Sequence, residues 1–181
     1  MRIPLLALVA IALCGCGRPL PKLGEVPHFE LTDQSGQTFD SSKLDGHVWV
    51  ADFVFTNCEG PCPRMTSHMH QLQTKTDKDI RLVSFTVDPK RDTPPVLAAY
   101  AKKFAYDSNR WSFLTGAVAT LNNLDEKAFK LGTISEDDID HSTRFALVDQ
   151  KGRIRGYYGL SDGDPVTQIA KDAERLQKES S

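Results

Sequence analysis

Two cysteines separated by three residues are the part of this sequence best suited to chemistry. Cys58 and Cys62 lie where an apolar run, Val48 to Phe55, gives way to a predicted helix. Pro63 suits the first turn of that helix, because its missing N–H would be unpaired there in any case. The helix start places positive partial charge beside the sulfurs, which favours thiolate over thiol. Thiolate is both the nucleophile of disulfide exchange and a ligand that Cu(I) prefers, so the pair predicts a metal site, a redox couple or both.

Two further motifs are predicted to lie near the thiols. The Asp88–Pro94 segment closes a second apolar strand, and Asp140-His141 precedes a third, Phe145 to Asp149. Loops that leave the carboxyl ends of adjacent parallel strands meet in one crevice. His141 comes before its strand, so it reaches the same crevice if that strand runs antiparallel to its neighbours. Two thiolates and an imidazole would then suit Cu(I), and imidazole also helps to hold Cu(II).

Apolar periodicity predicts the elements that position these groups. After an N-terminal hairpin, strands alternate with helices, and the chain ends in a second hairpin and a helix. This order indicates a single α/β layered domain. In chain order the predictions are a hairpin (Phe29 to Leu31, Gln37 to Phe39), a strand (Val48 to Phe55), a helix with Met65, Met69 and Leu72 on its core face, a strand (Ile80 to Val87), a helix (Asp92 to Tyr106), a strand (Trp111 to Leu114), a helix (Ala117 to Leu131), a hairpin (Phe145 to Asp149, Ile154 to Tyr158) and a helix (Pro165 to Gln177).

The N-terminus has the order of an export signal. Met1-Arg2 precedes an apolar run that is too short to span a bilayer, and Leu13-Cys14-Gly15-Cys16 resembles a bacterial lipoprotein cleavage box. We therefore predict a signal peptide of residues 1–15, a tether of residues 16–27 lipidated at Cys16, and one domain of residues 28–178. This predicts a membrane-anchored lipoprotein of the bacterial cell envelope that faces the periplasm. An uncleaved membrane anchor or an ordinary signal peptide is the alternative.

The cysteine content and the net charge further restrict the functions that the chain could have. A processed chain keeps Cys58 and Cys62 as its thiols, in a compartment where a disulfide between them can persist. Closing so short a loop would stabilise the domain little, which favours a chemical role for the pair. The net charge of −2 and pI of about 6.2, with no basic tract, give nucleic-acid binding no electrostatic support.

Four separated motifs occur together in an order that resembles a known family. They are the Phe-Thr-x-Cys-x3-Cys-Pro run, the Asp-Pro-x-Arg-Asp-Thr-Pro loop, the Trp111-to-Gly116 segment and Asp140-His141. They resemble the Sco/SenC family of thioredoxin-like copper proteins, which assemble the CuA centre of cytochrome c oxidase. The resemblance covers about Phe29 to Leu176. It implies a thioredoxin-like three-layer α/β fold with a central mixed sheet, an extra N-terminal β-hairpin and an inserted helix.

The resemblance also implies a copper site and a recipient. The ligands would be Cys58, Cys62 and His141, holding one ion as Cu(I) or Cu(II), and the Asp88–Pro94 loop would border the site. The recipient would be the oxidase subunit that carries CuA. One departure is the loop between the thiols, because many members have Pro directly after the first Cys and an acidic residue next. This chain has Glu59-Gly60-Pro61, so loop stiffness and copper affinity are expected to differ.

Asp52 suggests a redox function for the dithiol as an alternative to copper binding. It precedes Cys58 by six residues, the offset at which thioredoxins place a buried carboxylate behind their dithiol. Burial raises the pKa of a carboxyl group and lets it exchange protons with a thiol, so Asp52 is a candidate proton shuttle. Pairing with a basic residue, or a place at a wet strand edge, is the other interpretation.

Three functions therefore stay open from the sequence. A copper chaperone uses the pair with His141, whereas a thiol–disulfide reductase uses Cys58 as attacking thiol and Cys62 as resolving thiol. The reductase would form a Cys58–Cys62 disulfide and need a thiol reductant protein as partner. A non-catalytic redox or copper sensor is the third. Met65 and His68 share a helical face, but Met65 is expected in the core and His68 at its margin, rather than in a second copper site.

Overall fold

A computed structural model describes residues 19–134, 139–141 and 143–179 of the chain. Within these residues, eight strands form one mixed sheet in the order β1-β10-β9-β4-β5-β6-β2-β3, and β7 pairs with β8 in a separate hairpin. The strands are β1 (Gly24–Glu25), β2 (Glu30–Asp33), β3 (Thr38–Asp40), β4 (Trp49–Val54), β5 (Arg81–Thr86), β6 (Trp111–Thr115), β7 (Gly132–Ile134), β8 (Ile139–His141), β9 (Arg144–Val148) and β10 (Arg153–Gly159).

Helices cover both faces of the sheet. One face carries α1 (Cys62–Lys75), α2 (Pro94–Lys103) and α4 (Pro165–Lys178), and the other carries α3 (Val118–Asn122), a π-helix (Asn123–Phe129) and a 3-10 helix (Ser41–Leu44). Each face of the sheet has its own apolar cluster, so the domain has three layers with the sheet in the middle. The predicted α/β fold with an N-terminal hairpin is confirmed. None of the described helices is long and apolar enough to cross a membrane.

The central strands carry the thiols at one end of the sheet. All six residues of β4 are buried, as the apolar run predicts for a strand covered on both faces. Strands β4, β5 and β6 run parallel, and β9 runs antiparallel to β4 with Val148 opposite Trp49. The antiparallel direction that brings the start of β9 to the carboxyl end of β4 is therefore confirmed.

The predicted helix from Ala117 to Leu131 is only partly α-helical. It continues as a π-helix from Asn123 to Phe129 and ends at Lys130, which is left-handed with φ of 54°. The wider turns carry Phe129 into the core, where its ring packs edge-on against Trp49 at 5.9 Å and Phe53 at 5.4 Å. The sequence predictions also lacked β1 and the β7–β8 hairpin, whose short strands have no clear apolar alternation.

Candidate dithiol and metal site

The two cysteines lie at the junction of β4 and α1. Cys62 is the first residue of α1 and is fully buried, whereas Cys58 lies in the preceding loop and is half-buried. Pro63 lies in the first turn of α1, as the sequence predicted, and Pro61 immediately precedes the helix. The two sulfurs are close enough for the Cys58 thiol to hydrogen-bond with Cys62. The site therefore pairs one accessible sulfur with one protected sulfur.

Burial changes the expected ionisation of Cys62. The sequence argument placed both sulfurs in the favourable field of a helix start, with thiolate preferred. In the structure, burial raises the pKa of the Cys62 thiol well above its ordinary value, and the neighbouring Cys58 raises it further. The prediction of an intrinsic thiolate is therefore wrong for Cys62. Its proton must be lost to a base or displaced by a cation.

Asp52 lies behind the dithiol in the middle of β4. It is 0 % exposed, and among the described residues neither carboxylate oxygen has a hydrogen-bond partner. Burial raises the pKa of Asp52 to about 7, and the Ser84 hydroxyl on β5 acts in the opposite direction without cancelling it. A charge on Asp52 also raises the pKa of Cys62, so the two groups are electrostatically linked. Within the part of the chain that the structure describes, Asp52 has no salt bridge and is not at a wet strand edge, so the other interpretation of this residue is not supported.

The loop after β5 is fastened to the cysteine loop through Asp92. This carboxylate is 0 % exposed and accepts hydrogen bonds from the Thr56 backbone N–H at 3.1 Å, the Thr56 hydroxyl at 2.5 Å and the Thr86 hydroxyl at 2.6 Å. Because Thr56 precedes Cys58 by two residues, Asp92 fixes the start of the cysteine loop. Sequence reasoning placed this loop beside the site but did not identify Asp92 as its anchor.

Asp88 has a different role in the same loop. Its carboxylate pairs with the Arg91 guanidinium, and its backbone N–H donates to the Thr86 hydroxyl at 2.9 Å. The Arg91 side chain is largely exposed, so this pair stiffens the loop from its solvent side.

A hydroxyl chain missed by the sequence predictions supports the first turn of α1. The Thr66 hydroxyl donates to the Cys62 carbonyl at 2.9 Å and lies 2.9 Å from the Tyr100 hydroxyl. The only hydroxyl hydrogen of Thr66 is used on Cys62, so Tyr100 donates to Thr66. Tyr100 comes from α2 and its pKa is raised by burial, which keeps it a neutral donor. No sequence pattern links these residues.

The structure describes His141 only through its backbone. It ends β8 and pairs with Gly132 of β7, three residues before the start of β9. The Arg144 end of β9 lies at the same end of the sheet as the cysteine loop, because β9 is antiparallel to β4. The His141 side chain lies outside the described part of the structure, and its convergence on the thiols stays a prediction.

The donor atoms present at the dithiol suit copper. Two adjacent sulfurs, one of them shielded from water, match the soft ligands that Cu(I) selects. Among the described residues, no group of three or more His, Cys, Asp or Glu side chains is arranged for a metal. Met65 is fully buried in the core and His68 is half-buried at its margin, as expected.

Known proteins share this architecture. The chain matches the SCO1/SenC family model over residues 19–178. It is similar to a SCO1/SenC family lipoprotein from Bacillus anthracis, with 36% identity, a TM-score of 0.78, and 84% of this chain and 95% of that chain covered. It is similar to BsSco, a member of the Sco family of cytochrome c oxidase assembly proteins with a disulfide switch, with 34% identity, a TM-score of 0.79, and 88% and 97% covered. Yeast Sco1 with copper bound is more distant, with 25% identity, a TM-score of 0.68, and 85% and 90% covered.

The two cysteines lie at the start of the helix that follows a central strand of a mixed sheet. This arrangement is that of a thioredoxin-like protein. The match over nearly the whole described chain makes the family plain. The chain belongs to the SCO1/SenC family.

Proposed function

We propose that this protein binds copper and delivers it to the CuA site of a respiratory cytochrome c oxidase. The observation that carries the proposal is a pair of neighbouring cysteines at the start of α1, one half-buried and one buried, in a member of the SCO1/SenC family. The copper-bound yeast relative and the oxidase-assembly family of BsSco support it. The oxidase subunit that carries CuA is the proposed recipient.

Copper is the cargo, held by Cys58, Cys62 and His141 as one ion, Cu(I) or Cu(II). The buried Cys62 would remain bound longest, because a recipient ligand reaches Cys58 first. Transfer is then a stepwise ligand exchange: a recipient thiolate binds the ion as the Cys58 sulfur leaves, and the other ligands follow. The ion displaces the protons of both thiols, which offsets the raised pKa of Cys62.

A second function, thiol–disulfide reduction, is favoured by the unpaired carboxylate of Asp52. The Cys58 thiolate would attack a target disulfide and release one target thiolate. Asp52 as carboxylate would then take the Cys62 proton, and the Cys62 thiolate would attack the Cys58 sulfur, releasing the second target thiolate. This leaves a Cys58–Cys62 disulfide, which a thiol reductant protein must reduce. A non-catalytic redox or copper sensor would use the same change of state without a target.

The site is proposed to act at the outer face of the bacterial cytoplasmic membrane or elsewhere in the cell envelope. Residues 1–15 would be a signal peptide, residues 16–27 a tether lipidated at Cys16, and residues 28–178 the functional domain. The lipoprotein relative from Bacillus anthracis supports the lipid anchor.

An anaerobic Cu(I) titration of the reduced protein tests the copper function. We expect one ion per chain, with binding lost in Cys58→Ser and Cys62→Ser and weakened at least tenfold in His141→Ala. The matched control is His28→Ala, since His28 is exposed and pairs with Asp40. If His141→Ala bound copper as tightly as the parent protein, the proposed ligand set would be wrong.

A disulfide-reduction assay without copper distinguishes the reductase function from the copper function. Cys58→Ser should abolish turnover, and Asp52→Asn should slow the step in which Cys62 resolves the mixed disulfide. His141→Ala should leave this activity unchanged. Turnover that is absent in the parent protein would remove the reductase and leave copper transfer.

A further inference from the structure

An open groove lies between the cysteine loop and the outer face of α2. It has a volume of about 320 Å³ and is lined by Thr56, Pro95, Val96, Ala99, Tyr100 and Lys103. Pro95, Val96 and Ala99 are exposed, and Val96 at 39% is one of two large apolar side chains left so open among the described residues. Concave and mainly apolar surfaces are those that proteins use to bind ligands.

Two of the residues that line the groove are connected to the cysteines. Thr56 precedes Cys58 by two residues in the cysteine loop. The Tyr100 hydroxyl donates to the Thr66 hydroxyl, which donates to the Cys62 carbonyl, each at 2.9 Å. Burial raises the pKa of Tyr100, and the nearby sulfurs of Cys62 and Cys58 raise it further. A segment bound in the groove would therefore lie beside the thiols.

The groove also has a charge at one end. Lys103 is the one charged side chain among the residues that line it, and Lys103 forms no salt bridge within the described part of the chain. Because α2 follows β5, which is parallel to β4, Pro95 lies toward the dithiol end of the groove and Lys103 away from it. The eight residues from Pro95 to Lys103 span about 12 Å of helix, which about four residues of extended chain would cover.

We propose that this groove docks the protein that exchanges copper or sulfur with Cys58. The docked part is an extended segment with apolar side chains next to the partner's cysteine and a carboxylate about four residues from it. The apolar side chains cover Val96 and Ala99, and the carboxylate pairs with Lys103. The partner is then selected by the residues around its cysteine as well as by its thiol. This inference rests on the proposed function, because it needs a partner that reacts at Cys58.

Disulfide exchange with synthetic peptides tests the docking site. The full chain carries Cys14→Ser, Cys16→Ser and Cys62→Ser, which leaves Cys58 as its one thiol. The probes are Cys-Val-Leu-Val-Glu and Glu-Val-Leu-Val-Cys, for the two chain directions, each with its cysteine in a mixed disulfide with thionitrobenzoate. The Cys58 thiolate attacks the peptide sulfur and releases coloured thionitrobenzoate. We expect the better probe to react at least about tenfold faster than the same mixed disulfide of N-acetylcysteine, because it buries apolar side chains.

Substitutions in the groove should reduce this preference. Val96→Ser should slow the peptide about fivefold or more, and Lys103→Glu about twofold to fivefold, with the N-acetylcysteine rate unchanged. The matched controls are Leu23→Ser, the other exposed large apolar side chain, and Lys102→Glu, an exposed neighbour that does not line the groove. A probe with Lys in place of Glu should react slowly with the Cys58 protein and faster with its Lys103→Glu variant.

The outcomes that would overturn the proposal are distinct from failure of the copper function. Equal rates for the peptides and N-acetylcysteine, or a preference unaffected by Val96→Ser and Lys103→Glu, would remove the docking site. A sedimentation coefficient that changes on Val96→Ser would assign the groove to a second copy of this chain instead. The Cu(I) titration uses no peptide, so copper binding that depends on His141, together with equal rates, would remove the docking site alone.

Discussion

Replacing Asp52 by asparagine is expected to stabilise the protein at alkaline pH. Asp52 is fully buried, its carboxylate oxygens have no hydrogen-bond partner among the described residues, and its pKa is raised from 3.8 to about 7. The native state therefore retains the proton where an unfolded chain loses it. The contribution of this group to stability is complete below pH 4 and is lost as the pH rises to about 7.

The size of the expected stabilisation follows from the change in the pKa of Asp52. A change from 3.8 to about 7 corresponds to about 4 kcal/mol at 1.36 kcal/mol per pKa unit, as an upper bound for a carboxylate that the protein cannot relax around. Asparagine has nearly the same shape and no charge. Asp52→Asn should match the parent protein near pH 4 and exceed its free energy of unfolding by up to about 4 kcal/mol at pH 8.

Urea unfolding of the reduced protein at pH 4.5, 6 and 8 measures this difference. Asp92→Asn is the matched control, because Asp92 is equally buried but accepts three hydrogen bonds. That variant should be destabilised, since hydrogen bonds to a charged group contribute about 1.5–3 kcal/mol each. An Asp52→Asn protein that is less stable than the parent at pH 8 would refute the reasoning.

Three further outcomes follow from the site. At pH 7 iodoacetamide should modify Cys58 at least about tenfold faster than Cys62, because only Cys58 is accessible and burial raises the pKa of Cys62; peptide mapping of the alkylated protein measures this. Thr56→Val should cost about 1.5–3 kcal/mol of unfolding free energy, since Asp92 loses the donated hydroxyl, and Thr56→Ser should retain most of it. Gly60→Ala should fold normally and gain about 0.4–1 kcal/mol, because its added Cβ would meet the Cys58 sulfur at an ordinary 3.9 Å; a destabilised variant would show that the loop needs glycine.

The sequence predicted the parts of the fold that depend on apolar patterns. The buried run from Val48 to Phe55 became β4, and the proline at the start of the following helix marked α1 to within a residue. The π-helix was not predictable in this way, because apolar residues at helical spacing fit α and π turns alike. β1 was missed because its two residues, Gly24 and Glu25, are held by a partner strand more than a hundred residues away.

The candidate site, like the fold, could be predicted from the sequence only where it depends on local patterns. Residue types and spacing identified Cys58, Cys62 and the buried position of Asp52, because each depends on a local strand or helix pattern. They could not show that burial outweighs the helix start at Cys62, since that depends on what packs over the sulfur. They also could not show which aspartate of the following loop holds Thr56, because that contact joins residues 36 positions apart.

The two buried aspartates explain how one site is both rigid and reactive. Asp92 is fully hydrogen-bonded, so its charge holds the cysteine loop to the end of β5. Asp52 is equally buried without such partners among the described residues, so its charge is costly and its proton is easily exchanged near neutral pH. A structural carboxylate would be expected to acquire partners, as Asp92 has. We propose that the buried carboxyl group of Asp52 exchanges a proton with the Cys62 thiol, since both copper loading and disulfide formation require that thiol to lose its proton.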